Sequence, residues 1–422
     1  MRIPPLPYAG PLAVIASNAV LLVGVFALGW TASALLGVFV LELAAVLFWT
    51  AVKIPFAAKR PNNAMGAHRL LGPVQAKRGG IGLLRPLPDV YLRNLPTLAV
   101  TVVLLAPVEL GAAFLVFALS EPVVTTETTG QILLGGVSVF VGRGVETATH
   151  YFRDGGYRDH SPRSVLLIPF KHVFAVGTLI FVAGSFDVTS TAVLALIVGG
   201  KVIYDLRAIQ VDRDDDKRGI FYRLYGSAET EITPVRIAEP DAEPIVRIRP
   251  TRLTRVADAL YRGFTYTVTS GVLLLYVIGA LLATFAPLRL AAYPLVVILA
   301  LAALRAGSWF LRYGTLEFRC YEHVLVAYDT WLDEPQQRIE RGDVTAVSVN
   351  TDLVDRAFGT ATVEFERPTG DGSEIQLTVP DPEDVERDDS EGSMTVPHVE
   401  NPSTVADALG VGWQYERDVG AS

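Results

Sequence analysis

Six ionisable residues lie within long apolar stretches of the chain, where a charge must be either paired or functional. They are Glu42, Glu109, Arg143, Glu146, Lys201 and Asp205. A carboxylate in such a place can hold a proton or an ion, or it can form an ion pair that fastens helices together. Because Arg143 and Glu146 are three residues apart, and Lys201 and Asp205 four apart, each pair can share one helix face and neutralise itself.

Glu42 and Glu109 have no such local partner. They can line a polar cavity for protons, ions or a substrate, or they can pair with Arg143 or Lys201 from other helices and fix the bundle. We expect pairing, and we keep the cavity as the alternative.

A weak metal candidate is formed by Glu146 and His150, which stand four residues apart, a spacing that helical metal sites use. The helical zinc-protease motif needs two histidines at that spacing with a glutamate beside the first, and ETATH lacks it. The chain also has neither a phosphate-binding loop ahead of Lys and Ser/Thr nor a GxSxG nucleophile elbow. We therefore expect no metal, no cofactor and, on balance, no catalysis.

The elements that carry these residues are those of a membrane protein, because half of the 422 residues are hydrophobic and the mean hydropathy is +0.37. We predict about eight transmembrane helices by the length needed to cross the hydrocarbon. The predicted spans are 11–29, 31–52, 95–119, 129–150, 165–185, 190–209, 264–286 and 288–311.

The loops predict an orientation, since Lys and Arg are retained on the cytoplasmic side. Segment 53–94 has eight basic residues and one acid, whereas 121–129 has no basic residue. Segment 53–94 is therefore predicted on the cytoplasmic side of the membrane and segment 121–129 on the opposite side. Continuing the alternation gives a multi-pass protein of the cell membrane with both termini in the cytoplasm.

The predicted domains are a six-helix membrane core, a cytoplasmic linker, an interfacial helix followed by a transmembrane hairpin, and a soluble end. Their ranges are 1–210, 211–250, 251–312 and 313–416. Within the third, TRLTRVADALYRGF has apolar residues at helical spacing among arginines, which is typical of a helix at the membrane surface.

The soluble end is acidic. Residues 314–422 contain 24 acidic and 7 basic residues, a balance of −17. Such a charge suits a salt-rich cytoplasm, where repulsion is screened, so we predict an archaeal-type halophile. It also disfavours nucleic-acid binding and an inositol-lipid pocket, both of which need basic residues.

After residue 312 the apolar period changes from that of a helix to that of strands. Seven candidate strands, TLEFRCY, HVLVAYDTW, PQQRIE, VTAVSVN, TATVEFE, EIQLTVP and SMTVPHV, are followed by a predicted helix at 401–410. Seven strands closed by one helix is the pattern of a pleckstrin-homology-like (PH-like) barrel capped by a helix.

The stretch IERGDVTAVSVNTDLVDRAFGTATVEFE resembles the bacterial PH-domain membrane proteins, in which a helical hairpin leads into a barrel. The resemblance covers about 264–416 and includes a turn with an Arg before a Phe-Gly pair. The matching positions include Val344, Val347, Arg356, Phe358, Gly359, Thr360 and Val363.

A second resemblance covers 1–210. GWTASALLGVFVLELAAVLFWTAVKIPF, GRGVETATHYF and GGKVIYDLRAI are similar to segments of an uncharacterised prokaryotic multi-pass membrane family. That family implies an architecture and no activity.

These patterns favour a scaffold or envelope-maintenance protein whose PH-like domain contacts a protein partner or a second copy, while the helices contact the lipid bilayer. The alternative is a transporter or intramembrane enzyme with its polar site in the six-helix core.

Overall fold

The computed structural model describes residues 9–60, 72–75, 77–83, 87–119, 124–184, 198–203, 234, 236–285, 287–367, 393–412 and 414–415. The chain divides into two compact units. The first comprises Met1–Asn62 and Gly82–Thr233, and the second comprises Asn63–Ile81 and Pro234–Ser422. Part of the predicted loop 53–94 therefore belongs to the same unit as the soluble end.

The helices of the first unit are α1, α2 and α4–α7, while α3 and α8–α12 belong to the second. Their bounds are Ala9–Phe26 (α1), Ala32–Lys53 (α2), Gly72–Gln75 (α3), Leu95–Val100 (α4), Ala106–Leu119 (α5), Thr126–Glu146 (α6), Pro162–Gly184 (α7), Arg252–Thr267 (α8), Ser270–Phe285 (α9), Leu288–Tyr313 (α10), Leu353–Phe358 (α11) and Pro402–Leu409 (α12). Residues 198–203 are also helical and lie within the predicted sixth span. The remainder of that span lies outside the described residues.

Threonines and glycines position the two central helices of the first unit. Thr31 and Thr125 cap α2 and α6, since each hydroxyl accepts a hydrogen bond from the backbone N–H three residues on. The helices pack closely at Gly136, where a Cβ would lie 2.4 Å from Cδ1 of Leu41. Small residues let helix backbones approach in a membrane. This close packing brings Glu42 of α2 near the residues of α6.

Four helices in the described part are long and apolar enough to cross a membrane: Ser33–Phe56, Leu92–Ala118, Thr126–Arg153 and Arg289–Tyr313. A fifth candidate is the pair Arg252–Thr267 and Gly271–Phe285, whose axes meet at 64°. The seventh predicted span, 264–286, is thus not one straight helix, since α8 ends at Thr267. The prediction of a multi-pass helical membrane protein is confirmed in this coarser form, with four to five candidate spans.

The soluble part of the second unit consists of two antiparallel sheets with a common core. One has the order β1–β2–β3–β4 and the other β5–β6–β7. The strands are Val246–Ile248 (β1), Leu316–Tyr321 (β2), Val324–Asp329 (β3), Glu334–Glu340 (β4), Ala346–Asn350 (β5), Ala361–Glu366 (β6) and Met394–Val399 (β7). The core includes Phe318, Leu325 and Ile339 from one sheet, Val347, Val363 and Phe365 from the other, and Val405 and Leu409 from α12.

Six of the seven predicted strands are present, and the predicted strand EIQLTVP lies outside the described residues. The seventh observed strand is β1, which comes from the predicted linker 211–250 and pairs Ile248 with Phe318 of β2. Cys320 is a packed core thiol of β2, and burial raises its pKa to about 12.

The predicted turn between β5 and β6 is a short helix, α11. Asp352 caps it by accepting a hydrogen bond from the N–H of Asp355 at 2.9 Å, and the carboxylate of Asp355 accepts one from the N–H of Asp352 at 3.4 Å. Gly359 ends the helix with φ at +67°, a conformation that glycine adopts without strain. A reciprocal cap encoded within seven residues therefore replaces the turn.

Helix α12 lies where the sequence predicts it. Pro402 occupies its first position, and Gly410 ends it in the left-handed conformation with φ at +79°. The side chain of Asn401 accepts a hydrogen bond from the hydroxyl of Ser403 at 3.5 Å and makes no capping hydrogen bond to a helix N–H.

Candidate functional site

A buried carboxylate lies at the centre of the first unit. The side chain of Glu42, in the middle of α2, is 1% exposed. Its Oε1 lies 2.9 Å from Nζ of Lys201, which also donates a hydrogen bond to Oδ1 of Asn18 at 2.8 Å. The ion pair therefore joins α2 to the helical residues 198–203 and, through Asn18, to α1.

Two further basic side chains approach the same carboxylate oxygen. Nη2 of Arg143 on α6 lies 3.9 Å from it, and Nε2 of His172 on α7 lies 3.8 Å from it. The second oxygen, Oε2, is buried and accepts no hydrogen bond from the described residues. Buried charges of opposite sign cost least when they neutralise each other, so this Glu42 cluster can act as an electrostatic junction between helices.

Glu146 forms a second junction, with Lys53 at the end of α2. Nζ of Lys53 lies 3.1 Å from Oε1 of Glu146. The hydroxyl of Tyr151 donates a hydrogen bond to the backbone oxygen of Lys53 at 2.9 Å, and its ring lies under the ammonium group. The sequence offers Arg143 as the partner of Glu146 on one helix, whereas the structure pairs Glu146 across helices.

The remaining predicted site residues of the first unit are not brought into the Glu42 cluster. Glu109 lies on α5 with a buried Oε2 that accepts no hydrogen bond in the described part of the chain. Asp205 lies outside the described residues. Within those residues no three His, Cys, Asp or Glu side chains are arranged to hold a metal ion, so Glu146 and His150 have no third ligand there.

The second unit contains a buried ion pair between Lys77 and Asp329, whose side chains are 1% and 0% exposed. Nζ of Lys77 also donates a hydrogen bond to the hydroxyl of Thr315, which in turn donates one to Asp329 at 2.7 Å. The other Asp329 oxygen accepts hydrogen bonds from two backbone N–H groups of the turn after β3. Burial lowers the pKa of Lys77, and the Asp329 carboxylate opposes that shift.

Residues 77–81, which we call the strap, reach this pair from the loop after α2. The side-chain amide of Gln336 on β4 both accepts from the N–H of Arg78 at 2.8 Å and donates to its carbonyl at 3.0 Å. Gly79 has φ at +82°, and a Cβ there would lie 3.1 Å from Cβ of Glu334. The strap is thus held by its backbone as well as by Lys77.

A third cluster joins the sheets to helices α8 and α10. His398 of β7 lies between two carboxylates, with Nδ1 2.8 Å from Asp355 and Nε2 3.3 Å from Asp258 of α8. Asp258 also accepts a hydrogen bond from the indole N–H of Trp309 at 2.5 Å. It forms an ion pair with Arg262, whose Nε lies 3.2 Å from Oδ1 of Asp258. We call these five residues the His398 latch.

The latch favours a charged imidazole. Burial by itself lowers the pKa of His398, but the hydrogen bond to Asp355 and the negative charges of Asp258 and Asp355 outweigh it, so the pKa is raised above its usual value. His398 also has φ at +57°, a strained conformation for a residue with a Cβ. Its contacts therefore hold it in a backbone conformation that most residues avoid.

The residues that carried the PH-like resemblance have mainly structural places. Val344, Val347 and Val363 are buried in the core of the two sheets. Arg356 and Phe358 are exposed on α11, and Gly359 ends that helix. The hydroxyl of Thr360 donates a hydrogen bond to Asp355 at 2.7 Å, which fixes the carboxylate that faces His398.

The strap and the latch were missed from the sequence. One feature of the sequence could have indicated Asp258: it is an acid within the amphipathic helix and lies off the apolar stripe. No pattern indicates the pairing of Lys77 or His398, because Asp329 is 252 residues from Lys77 and Asp355 is 43 residues from His398.

Comparisons with known proteins agree with the two resemblances. The model of the bacterial PH domain matches residues 273–390, which begin near the start of α9 and end before β7. No curated protein and no solved structure matches the chain. The model of a family of unknown function, DUF6498, matches residues 7–219, which is just over half of the chain. The N-terminal match supports a membrane-associated protein without an assigned activity, and by this match the chain belongs to the DUF6498 family.

Proposed function

We propose that this protein is a membrane-anchored scaffold, acting in envelope maintenance, whose PH-like domain binds another protein. The observation that carries the proposal is the attachment of that domain to other parts of the second unit by buried polar contacts. The His398 latch ties its sheets to α8 and α10, and the strap ties β3 and β4 to a distant loop. A domain held in one orientation at a membrane is suited to presenting a surface to a partner.

The proposal includes eight spans with both termini in the cytoplasm. Lys77 lies in the loop after the second span and pairs with Asp329, so the chain must cross the membrane an even number of times between them. Six spans lie between these residues in the eight-span arrangement, which satisfies the condition. By the positive-inside rule, the basic loop 53–94 supports a cytoplasmic side for the PH-like domain.

The proposed partner has a basic surface with apolar contact points. Residues 314–422 carry a balance of −17, which attracts a basic partner and speeds its association. Trp331 and Leu353 are 60% and 61% exposed, and large exposed side chains of this kind are common anchors in interfaces.

Site-specific photo-crosslinking in native membranes tests the proposal. A photoreactive side chain is placed at Trp331 or Leu353 of the full-length protein, and at the exposed Glu322 as a control. We expect one protein, or a second copy, to be linked from the first two positions and not from the third. A version that ends after Arg312 serves as the blank in pull-downs. If no protein is linked, and the full-length and truncated proteins retain the same small molecule, the scaffold proposal is wrong.

A second function, a proton or ion pathway, is favoured by Oε2 of Glu42 and of Glu109, which accept no hydrogen bond within the described residues. Buried carboxylates of this kind in a membrane core can carry protons. The test is a flux measurement on the protein in proteoliposomes. If the pathway exists, the wild-type protein should conduct protons or cations, and Glu42→Gln and Glu109→Gln should each abolish that flux. The absence of flux through the wild-type protein would exclude the pathway.

A further inference from the structure

Helix α8 has an exposed apolar stripe. Four of its residues recur at spacings of three and four, which places them on one face of the helix. Leu253, Val256, Leu260 and Phe264 are 68%, 45%, 63% and 68% exposed. Exposing these four apolar side chains to water would cost free energy, so we expect another apolar surface to cover the stripe.

Helix α8 also packs against α10. A Cβ on Gly263 would lie 2.6 Å from the backbone oxygen of Ala302, so the two helices are in backbone contact there. Asp258 is also buried, and Trp309 of α10 donates a hydrogen bond to it. Packing against α10 therefore covers part of α8 and leaves the apolar stripe exposed.

The bend after α8 gives the inclination of its axis relative to α9. The axes of α8 and the apolar helix α9 meet at 64°. If α9 crosses the membrane near the normal, α8 is steeply inclined to it and runs along the surface. A helix in that position inserts its apolar stripe to the depth of the headgroups.

Basic residues surround the start of the helix. Four arginines, Arg247, Arg249, Arg252 and Arg255, stand within nine residues, and no acid occurs from Pro244 to Ala257. Arg247, Arg249 and Arg252 are exposed, whereas Arg255 is directed to the carbonyl of Gly314 at the end of α10. The exposed arginines complement the phosphate groups of anionic lipids.

We propose that α8 and the arginines before it form a binding surface for anionic phospholipid headgroups. The apolar stripe enters the outer part of the bilayer while Arg247, Arg249 and Arg252 contact phosphates. Charge complementarity and continuity with the apolar α9 select a lipid surface as the occupant. This inference does not depend on the scaffold function.

Insertion of the stripe is tested with one labelled thiol on the full-length protein in liposomes. Because Cys320 is fully buried, Leu260→Cys supplies an accessible thiol for a fluorescent label. Glu322→Cys, in the exposed turn after β2, is the matched control. We expect lipid-borne quenchers to quench the label at position 260 and aqueous iodide to quench the label at 322. Equal access of iodide to both positions, as expected for a protein-binding face, overturns the proposal.

Selectivity for charge is tested with spin-labelled lipids. In the wild-type protein we expect labelled phosphatidylglycerol to associate severalfold more strongly than labelled phosphatidylcholine. Arg247→Gln/Arg252→Gln should bring that ratio toward one, while Arg236→Gln/Arg341→Gln, two exposed arginines elsewhere in the unit, should not. Unfolding temperatures are compared to verify that each variant is folded. The proposal is contradicted if Arg247→Gln/Arg252→Gln leaves the ratio of phosphatidylglycerol to phosphatidylcholine association unchanged. It is also contradicted if both double variants reduce that ratio equally.

Discussion

Glu42 illustrates how one buried carboxylate can organise several helices. Its Oε1 faces Lys201, Arg143 and His172, which come from three other parts of the first unit. Removing one partner of a buried ion pair leaves an uncompensated charge, which costs more than the pair itself contributes. The main consequence of losing Glu42 should therefore be structural.

Glu42→Gln should lower the free energy of unfolding by about 3 kcal/mol, because Lys201 then has no carboxylate at 2.9 Å. Glu109→Gln should change it little, since Glu109 has no ion pair within the described residues. Chemical unfolding in detergent micelles measures both. The double variant Glu42→Gln/Lys201→Met should recover part of the loss, whereas additive losses would contradict the pairing.

His398 should make stability depend on pH. Its pKa is raised in the folded protein, so the stabilisation is complete below the unfolded value of about 6.5 and is lost as the pH rises through the folded value. The groups that face it are Asp258 and Asp355, with Arg262 and Trp309 beside Asp258. Unfolding measured across this range should show the loss in the wild type.

His398→Asn should be less stable at low pH and should lack this pH dependence. His323→Asn is a matched control, because His323 has φ at +65°, close to the +57° of His398, and is exposed. The control should keep the wild-type profile. If both variants keep it, the latch does not titrate as its geometry requires.

At the residue scale the sequence offered Arg143 and Lys201 as partners of Glu42 without choosing between them. It named Glu42, Arg143 and Lys201, and the structure brings them together. Lys53, Asn18 and His172 were not chosen as partners, because their contacts depend on how helices pack and not on spacing along the chain. The functional role of the cluster stays a prediction.

At the scale of helices and strands, the structure follows the sequence most closely where residues at both ends of an element mark its limits. Helix α12 lies within the predicted range 401–410, with a proline at its first position and a glycine after its last. Helix α11 stands where the sequence predicts a turn, because the reciprocal cap of Asp352 and Asp355 stabilises a short helix there. Strand β1 could not be predicted as part of the sheet, since its pairing with β2 spans more than seventy residues of sequence.

The contact of α8 with α10 predicts opposite effects of one substitution at two glycines. Gly263→Ala should destabilise the protein, because its Cβ would lie 2.6 Å from the oxygen of Ala302. Gly307→Ala on α10 should be neutral or stabilise it by up to about 1 kcal/mol, since that site is open and alanine favours a helix. Thermal unfolding compares the two. The same sign for both would mean that α8 does not pack at Gly263.

At the scale of the whole molecule, the sequence predicted a membrane part and a PH-like part, and both family models support this division. It did not predict that residues 63–81 join the second unit, because only long-range contacts reveal the strap. The inference of a halophile rests on composition alone and stays a prediction.

Breaking the strap should show that distant segments form one unit. Lys77→Met leaves Asp329 buried without its ion pair, and we expect a loss of about 3 kcal/mol in unfolding free energy together with faster hydrogen exchange in β3. Lys59→Met, in the same loop, should change neither. Lys77→Met/Asp329→Leu should be more stable than Lys77→Met alone, and a further loss would contradict the proposed pairing.

The strap also constrains the timing of biosynthesis. Lys77 is separated by 252 residues from Asp329, and at roughly 5–20 residues per second the ribosome needs about 13–50 s to make that interval. Throughout it, a lysine destined for burial has no counter-charge from Asp329 and remains outside its final site. The loop that carries Lys77 is therefore made early and completed late, and a nascent chain that is released before the PH-like domain is made leaves Lys77 without its buried partner.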